Sequence, residues 1–298
     1  MTPTEPNRPT VFAVLGLGLM GHGIALNARR AALPTIVWNR SPARTEDLET
    51  IGAVVADSAS EAAALADVVV TMVTDLGAVL AIAIDQGMLD AIRPGAIWVQ
   101  MSTIGLGIDR VAELVAERRP DVTLIDAPVS GSKVPAEQGT LTIFGSGPDD
   151  ARPRVEPFFD AVGRRTVWVG ATGTGSRMKL VNNTLLALTA EGLAGAVRLA
   201  RRLELGNEAL LSGLDDSPLL CAWARAKLLR ISNNDYSAEF SLANARKDVR
   251  LAMAAFAPSE PAILRTLGAE WDDVVARGFG DDDVTVIARD RPSTGVEK

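Results

Sequence analysis

The chain has 298 residues, 47% of them apolar, with a net charge of −7, one cysteine and one histidine. That length suggests two domains, each with a sizeable core, and the negative charge argues against a nucleic-acid or acidic-membrane partner. Cys221 alone allows no internal disulfide and no cysteine-rich metal site, and His22 alone allows no paired-histidine zinc site. No metal is expected, and any general acid or base should be Lys, Asp, Glu, Tyr or Cys.

Residues 1–9 are proline-rich, lack a basic start and read as a disordered leader. The apolar run 11–20 is too short and too broken by glycine for a signal core. No run of about 18 apolar residues is present, so no membrane span and a cytoplasmic location are expected. Val11 to Leu15 is a continuous apolar strand, as found in a parallel sheet buried on both faces. Gly16, Gly18 and Gly21 follow as G-x-G-x-x-G, after a strand and before a helix. That is the context in which the motif holds a dinucleotide. Leu17, Leu19 and Met20 complete this cofactor loop.

The second strand, Thr35 to Trp38, ends at Asn39 and Arg40, and Arg44 comes one turn later. An NAD enzyme carries an acid here for the ribose hydroxyls. Its absence, with two guanidiniums able to take a 2′-phosphate, points to NADP (NADPH). The alternative is a pair of solvated arginines opening a surface helix. Ser58-x-x-Glu61 is a capping box for a short helix. Asp67 to Val73 reads as a buried strand with Thr74-Asp75 at its carboxyl end, so Val73, Thr74 and Asp75 are assigned to the cofactor. Ala96 to Val99 is the next strand, running into Gln100-Met101-Ser102-Thr103. Ligands bind outside the carboxyl ends of strands in open α/β sheets. That directs Ser102 and Thr103 at the cofactor's reactive half, unless Ser102 is only a helix cap.

Helix 105–118 and strand Val122 to Ile125 lead into a polar loop, Asp126 to Thr140, able to present N–H groups and hydroxyls to an anion. Leu141 to Phe144 and Thr166 to Val169 read as two more strands of the sheet, flanking helix 149–161. From Thr172 to Arg202 the chain opens with glycines and continues as one long helix. Leu180, Val181, Leu185, Leu188, Leu193, Val197 and Leu199 recur there at helical spacing. Lys179 and Asn183, four apart, share a face. Asn207, Ser217 before Pro218, and Ser259 before Glu260-Pro261 read as helix starts, and Asp281 to Asp283 as the cap of a last short helix. The expected fold is α/β: a Rossmann-type doubly wound sheet over residues 10–172, joined by the long helix to an all-α domain over 173–298.

The ordered set GLGLMGHGIALN, WNR, QMSTIG, DAPVSGSKVPAEQGTLTIFGSG, GTGSRMKLVNN and FSLANARKDVRLA resembles the β-hydroxyacid dehydrogenase family. The resemblance runs from about Val11 to about Ala288 and looks closest to the glyoxylate/succinic semialdehyde reductase branch. It implies NADPH-dependent reduction of a small aldehyde acid, with Lys179 as catalytic acid/base and Asn183 orienting lysine and substrate. It places Ser130 and Gly131 on the substrate carboxylate, and Ser102 and Thr103 beside nicotinamide and substrate. Phe240 would line the substrate pocket. Lys247, on the cofactor, and Asp248, on the substrate, would reach the active site from the helical domain. The family forms homodimers and homotetramers through that domain. Rival readings are an NAD(P) dehydrogenase of the 3-hydroxyisobutyrate type, an imine reductase, which usually lacks the lysine, and a cofactor-binding scaffold without catalysis. Three loops depart from the family pattern: Leu76 and Gly105 to Gly107 stand where proline is common, and Phe144-Gly-Ser-Gly replaces an alanine-rich end.

Overall fold

The computed structural model describes residues 8–289. The expected leader over 1–9 lies, apart from Arg8 and Pro9, outside the described residues. Strand β1 (Phe12–Leu15), α1 (Leu19–Arg30), β2 (Thr35–Trp38), α2 (Glu46–Thr50), β3 (Val54–Val55), α3 (Ala59–Leu65) and β4 (Val68–Thr71) open the chain. Helices α4 (Leu76–Leu80) and α5 (Met88–Ala91), β5 (Ile97–Gln100), α6 (Gly107–Arg118) and β6 (Thr123–Asp126) follow. These six strands form one sheet of order β3-β2-β1-β4-β5-β6, and every pair in it is parallel. The order reverses between β1 and β4, the place where such sheets bind their ligands.

The apolar runs explain the layering. Phe12, Val14, Val37, Val70 and Val99 face one side, under Ile24 and Ala28 of α1. Ala13, Leu15, Ile36, Val69 and Trp98 face the other, under Ala62 and Ala63 of α3 and Val111 of α6. Successive strand residues point to opposite faces, so a run with no polar break needs helices on both. The capping box is only half as expected: Ser58 Oγ accepts from Glu61 N at 3.0 Å, but the Glu61 carboxylate takes Asp57 N at 2.7 Å.

The last strands do not extend this sheet, a correction to the expectation. The polar loop holds β7 (Val129–Ser130) and α7 (Lys133–Glu137), and β8 (Leu141–Gly145), α8 (Arg152–Val162) and β9 (Gly163–Trp168) come after it. β7, β8 and β9 make a separate three-stranded sheet, with β7 antiparallel to β8. The chain turns at Pro128, which has no N–H for a continued ladder. β8 then runs back along that turn through Phe144 N to Pro128 O at 2.9 Å and a bridge between Asp126 and Ser146. α7 rests on α1, where a Cβ on Gly23 would lie 2.7 Å from the Ala136 carbonyl carbon and Asn27 Nδ2 donates to Ala136 O at 2.7 Å.

The long helix α9 (Thr174–Arg202) leads to α10 (Asn207–Leu214), α11 (Ala222–Ser232), α12 (Leu242–Phe256) and α13 (Ala262–Val274). Compact units meet between Leu180 and Val181, inside α9, whereas the expected boundary fell at 172/173. The head of α9 is bonded to the strand ends of the first unit, which is why that unit keeps it: Gly175 N donates to Ser146 Oγ at 3.0 Å and Ser176 N to Asp126 Oδ2 at 2.7 Å. In the second unit, Ala190, Leu193 and Val197 of α9 pack with Leu228, Val249, Leu267 and Trp271. By length and composition α9 could cross a membrane. Its middle, however, carries Glu191 and Arg198, paired at 2.7 Å, and Glu191 also accepts from Trp271 Nε1 at 2.8 Å. That is the pattern of a packed core helix.

Three expected helix starts move. Gly206, not Asn207, caps α10, and Asn207 Nδ2 instead donates to Ser232 O at 3.2 Å. Ser217-Pro218 opens a turn closed by Leu220 N to Ser217 O at 3.0 Å, and α11 starts after Cys221. α13 starts after Pro261 rather than at Ser259. Asp283 does cap the final 3-10 turn, Val284–Ala288.

Candidate active site

The glycine loop shows a division of labour. Gly16 adopts φ +97°, and a Cβ there would stand 2.5 Å from Met72 O. A Cβ on Gly21 would stand 1.9 Å from Gly16 O, so α1 lies directly on the turn. Gly18 is different: nothing lies within 4 Å of its Cβ position. Its backbone is open to an approaching ligand. No side chain caps α1, and its first turn carries no acid, which leaves helix N–H groups for an anion. These residues fit a dinucleotide pyrophosphate.

After β2, Asn39 turns inward. Its Oδ1 accepts from Leu17 N at 2.9 Å and its Nδ2 donates to Ser41 O at 3.0 Å. Asn39 therefore braces the glycine loop. Arg44 is exposed and touches that loop through Leu17 O at 3.2 Å. Arg40 is exposed, with no hydrogen bond or ion pair among the described residues. The guanidiniums stand at the strand's carboxyl end, and no acid lies between Asn39 and Thr45.

At the ends of β4 and β5 the expectation for Ser102 fails both ways. Its side chain is fully buried. Oγ accepts from Val73 N at 2.8 Å and donates to Thr71 O at 3.4 Å. It ties β4 to β5, caps no helix and has no exposed surface to offer a ligand. Val73 thereby spends its N–H inside the sheet. Asp75 caps α4, accepting from Ala78 N at 2.9 Å. Thr74 and Thr103 remain at this edge, and Thr103 is half-buried. Two of the family departures prove to be one: a Cβ on Gly107 would lie 2.7 Å from Leu76 Cδ2, so the leucine fills the space that the glycine leaves.

Ser130 ends β7 opposite Thr142. Gly131 follows with φ +139°, and a side chain there would meet Leu141 Cδ2 at 2.7 Å. Four residues before Ser130 stands a group to which the sequence reading gave no role. Asp126 is fully buried and accepts from Ser176 N and Ser176 Oγ, both at 2.7 Å, and from Ser146 Oγ at 3.2 Å. Burial pushes its carboxyl up to about 6, against those bonds and the nearby charge of Arg177. The folded protein thus keeps this proton to higher pH than the unfolded chain does. Ionisation between about pH 4 and 6 therefore lowers stability, by about 3 kcal/mol for a shift of roughly two pH units. The signal available was Gly173-x-Gly175-Ser176, but nothing in it names a partner 50 residues away. Lys179, three residues beyond Ser176, is 8% exposed.

In the helical unit, Asn183 and Asp248 come together. Asn183 Nδ2 donates to Asp248 Oδ2 at 2.6 Å, and Asn183 Oδ1 accepts from Asn182 at 2.9 Å. Lys247 Nζ stands 3.1 Å from Asp248 Oδ1. Asp248 fixes the Asn183 amide, a relation the sequence did not reveal. Phe240 is held by another unforeseen pair. Buried Lys227 meets Asp283 at 2.9 Å, and Asp283 accepts from Phe240 N at 3.2 Å. Burial would raise the Asp283 carboxyl, but Lys227 and the backbone N–H groups of Phe240 and Glu239 outweigh it and hold it below the ordinary range.

A parallel sheet with a dinucleotide glycine loop at its switch point, followed by a helical unit, defines an NAD(P)-binding dehydrogenase. Comparison with known proteins agrees. Residues 11–170 match the model for the NAD binding domain of 6-phosphogluconate dehydrogenase. Residues 173–289 match that for the NAD-binding region of NADP-dependent 3-hydroxyisobutyrate dehydrogenase. Glyoxylate/succinic semialdehyde reductase 1 of Arabidopsis thaliana is 28% identical, over 92% of this chain and 95% of its own. Human mitochondrial 3-hydroxyisobutyrate dehydrogenase is 29% identical, over 93% and 85%. The crystal structure of 3-hydroxyisobutyrate dehydrogenase from Salmonella typhimurium superposes with a TM-score of 0.85 at 25% identity, covering 94% of this chain and 99% of that one. The chain belongs to the β-hydroxyacid dehydrogenase family. It is an NAD(P)-dependent oxidoreductase acting on CH–OH groups.

Proposed function

We propose that this enzyme uses NADPH to reduce a small aldehyde acid, of the glyoxylate or succinic semialdehyde kind, to the hydroxy acid. The observation that carries the reading is Lys179, a buried lysine on a helix head anchored at the ends of the strands. When bound, NADPH would supply the hydride that the carbonyl carbon receives. Lys179, as ammonium, stabilises the negative charge that develops on the carbonyl oxygen and donates a proton to it. Asn183, its amide fixed by Asp248, orients lysine and substrate. The N–H groups and hydroxyl at Ser130-Gly131 are assigned to the substrate carboxylate, with Thr103 beside it. The similarity to the Arabidopsis reductase supports the substrate class.

A panel of glyoxylate, succinic semialdehyde, 3-hydroxyisobutyrate and a cyclic imine, each with both cofactors, tests this. The highest kcat/KM is expected for an aldehyde acid with NADPH. Preference for 3-hydroxyisobutyrate with NAD, or turnover of the imine alone, would reverse the choice.

NADPH is proposed over NADH because Arg40 and Arg44 are exposed where an NAD enzyme places an acid. Arg40 is the cleaner test, since it braces nothing. Arg40→Ala should raise the Kd for NADPH roughly tenfold, the worth of one charge-assisted hydrogen bond, and leave that for NADH alone. Equal effects on the two cofactors in a titration would remove the 2′-phosphate assignment. We also propose a homodimer or homotetramer. Val181, Leu185 and Leu199 of α9, with Leu203 just beyond its end, are each more than half exposed, an apolar face that a second copy would cover.

A further inference from the structure

We propose that Asp126, with Ser146 and Ser176, is a positioning device for Lys179: it fixes the first turn of α9 on the strand ends so that the lysine is held in one place. This rests on reading Lys179 as the acid.

A helix leaves its first four N–H groups without helical partners. At the head of α9 those of its first three residues, Thr174, Gly175 and Ser176, are taken from outside the helical ladder, which begins at Arg177. Thr174 N donates to Ala171 O at 3.1 Å and Arg177 N to Gly173 O at 3.3 Å. Gly175 N donates to Ser146 Oγ at 3.0 Å and Ser176 N to Asp126 Oδ2 at 2.7 Å. The Ser176 hydroxyl adds a second bond to the other carboxylate oxygen. Gly175 permits the contact: a Cβ on it would lie 2.3 Å from Phe144 O and 2.8 Å from Asp126 O. Helix backbone therefore lies directly on the ends of β6 and β8. Ser146 belongs to the Phe144-Gly-Ser-Gly segment in which this chain departs from its family. Long side chains on a helix lean toward its N-terminus, so Lys179 reaches back over the turn that Asp126 holds.

The device depends on charge. As carboxylate, Asp126 accepts the N–H and the hydroxyl of Ser176 together. Once protonated, it keeps only one accepting oxygen: Oδ2 can still take the backbone N–H if the proton sits on Oδ1 and the Ser176 hydroxyl turns to accept it, but both bonds lose their charge assistance and the anchor weakens. The groups facing Asp126 are Ser146, just after β8, and Ser176 and Arg177 from α9; Arg177 itself pairs with Asp109 of α6 at 2.9 Å. Burial brings the change to about pH 6. Wild-type kcat should fall on the acid side with a midpoint there, while the Kd for NADPH stays level.

The test compares wild type, Asp126→Asn, Ser176→Ala, Ser176→Thr and Lys179→Ala. It reads kcat and NADPH Kd from pH 5.5 to 8, and hydrogen exchange in the peptide 173–180. Asp126→Asn should lower kcat roughly tenfold or more, as a displaced catalytic group does. It should also flatten the acid limb and speed exchange over 173–180 without weakening NADPH. Ser176→Ala, the milder change, should show the same in smaller measure, and Ser176→Thr, which keeps the hydroxyl, should restore kcat. Wild-type kcat and acid limb in both Asp126→Asn and Ser176→Ala, beside an inactive Lys179→Ala, would overturn this inference alone. Full turnover in Lys179→Ala would overturn the reading of the lysine, and this inference with it.

Discussion

Lys179→Ala is expected to turn over an aldehyde acid at least about a hundredfold more slowly than wild type, since a positioned general acid is worth roughly 10² to 10⁴ in rate. Its affinity for NADPH should hardly change, because the pyrophosphate loop (Gly16 to Gly21) and the arginines after β2 are separate from α9. The loss should fall in kcat more than in KM, as it does when an interaction made only in the transition state is removed. The alanine variant alone does not separate proton donation from charge, and Lys179→Arg does. Arginine keeps the positive charge but does not release its proton. If Lys179 donates the proton, the arginine variant should be nearly as slow as the alanine one. Near-wild-type turnover in Lys179→Ala, measured by NADPH consumption in stopped flow, would end the role. Recovery in Lys179→Arg would reduce it to electrostatic support.

The residues that chemistry requires were easier to read than those that hold them. β1 and β2 and the glycine loop were legible because continuous apolar runs and G-x-G-x-x-G depend on local sequence alone. Lys179 and Asn183 followed from helical spacing. Pairing was not legible. β8 has the composition of a strand in either sheet, and the turn at Pro128 decided which one it joined. Ser102 illustrates the same limit: a hydroxyl at a strand end can meet a ligand or the neighbouring strand, and only register shows that it meets Val73 N. Asp126 and Asp283 were overlooked as anchors because their partners lie tens of residues away. The helix starts expected at Asn207, Ser217 and Ser259 moved for a different reason. Asn and Ser-Pro also open turns, and at Ser217 the turn prevailed.

The glycine loop offers the second large effect, because its glycines separate folding from binding. Gly21→Ala puts a methyl 1.9 Å from Gly16 O, and neither backbone can yield without lifting α1 from β1. Overpacking of this kind costs about 1–3 kcal/mol, sometimes more. A Tm fall of roughly 2–12 °C follows for a unit of this size. The helix N-terminus moves with it, so NADPH affinity should fall as well. Gly18→Ala is the counterpart. Gly18 has φ −68°, which alanine adopts freely, and open space where its Cβ would go. Its Tm should match wild type. If the pyrophosphate approaches this backbone, however, the new methyl occupies the approach, and the Kd for NADPH should rise tenfold or more, about 1.4 kcal/mol or above. Thermal melts with and without NADPH read both quantities, since a ligand that binds only the folded state raises Tm with its affinity. A Gly18→Ala protein that is stabilised by NADPH as well as wild type would remove Gly18 from the cofactor site. A Gly21→Ala protein with unchanged Tm would mean that the close approach of α1 to Gly16 is not what fixes this loop.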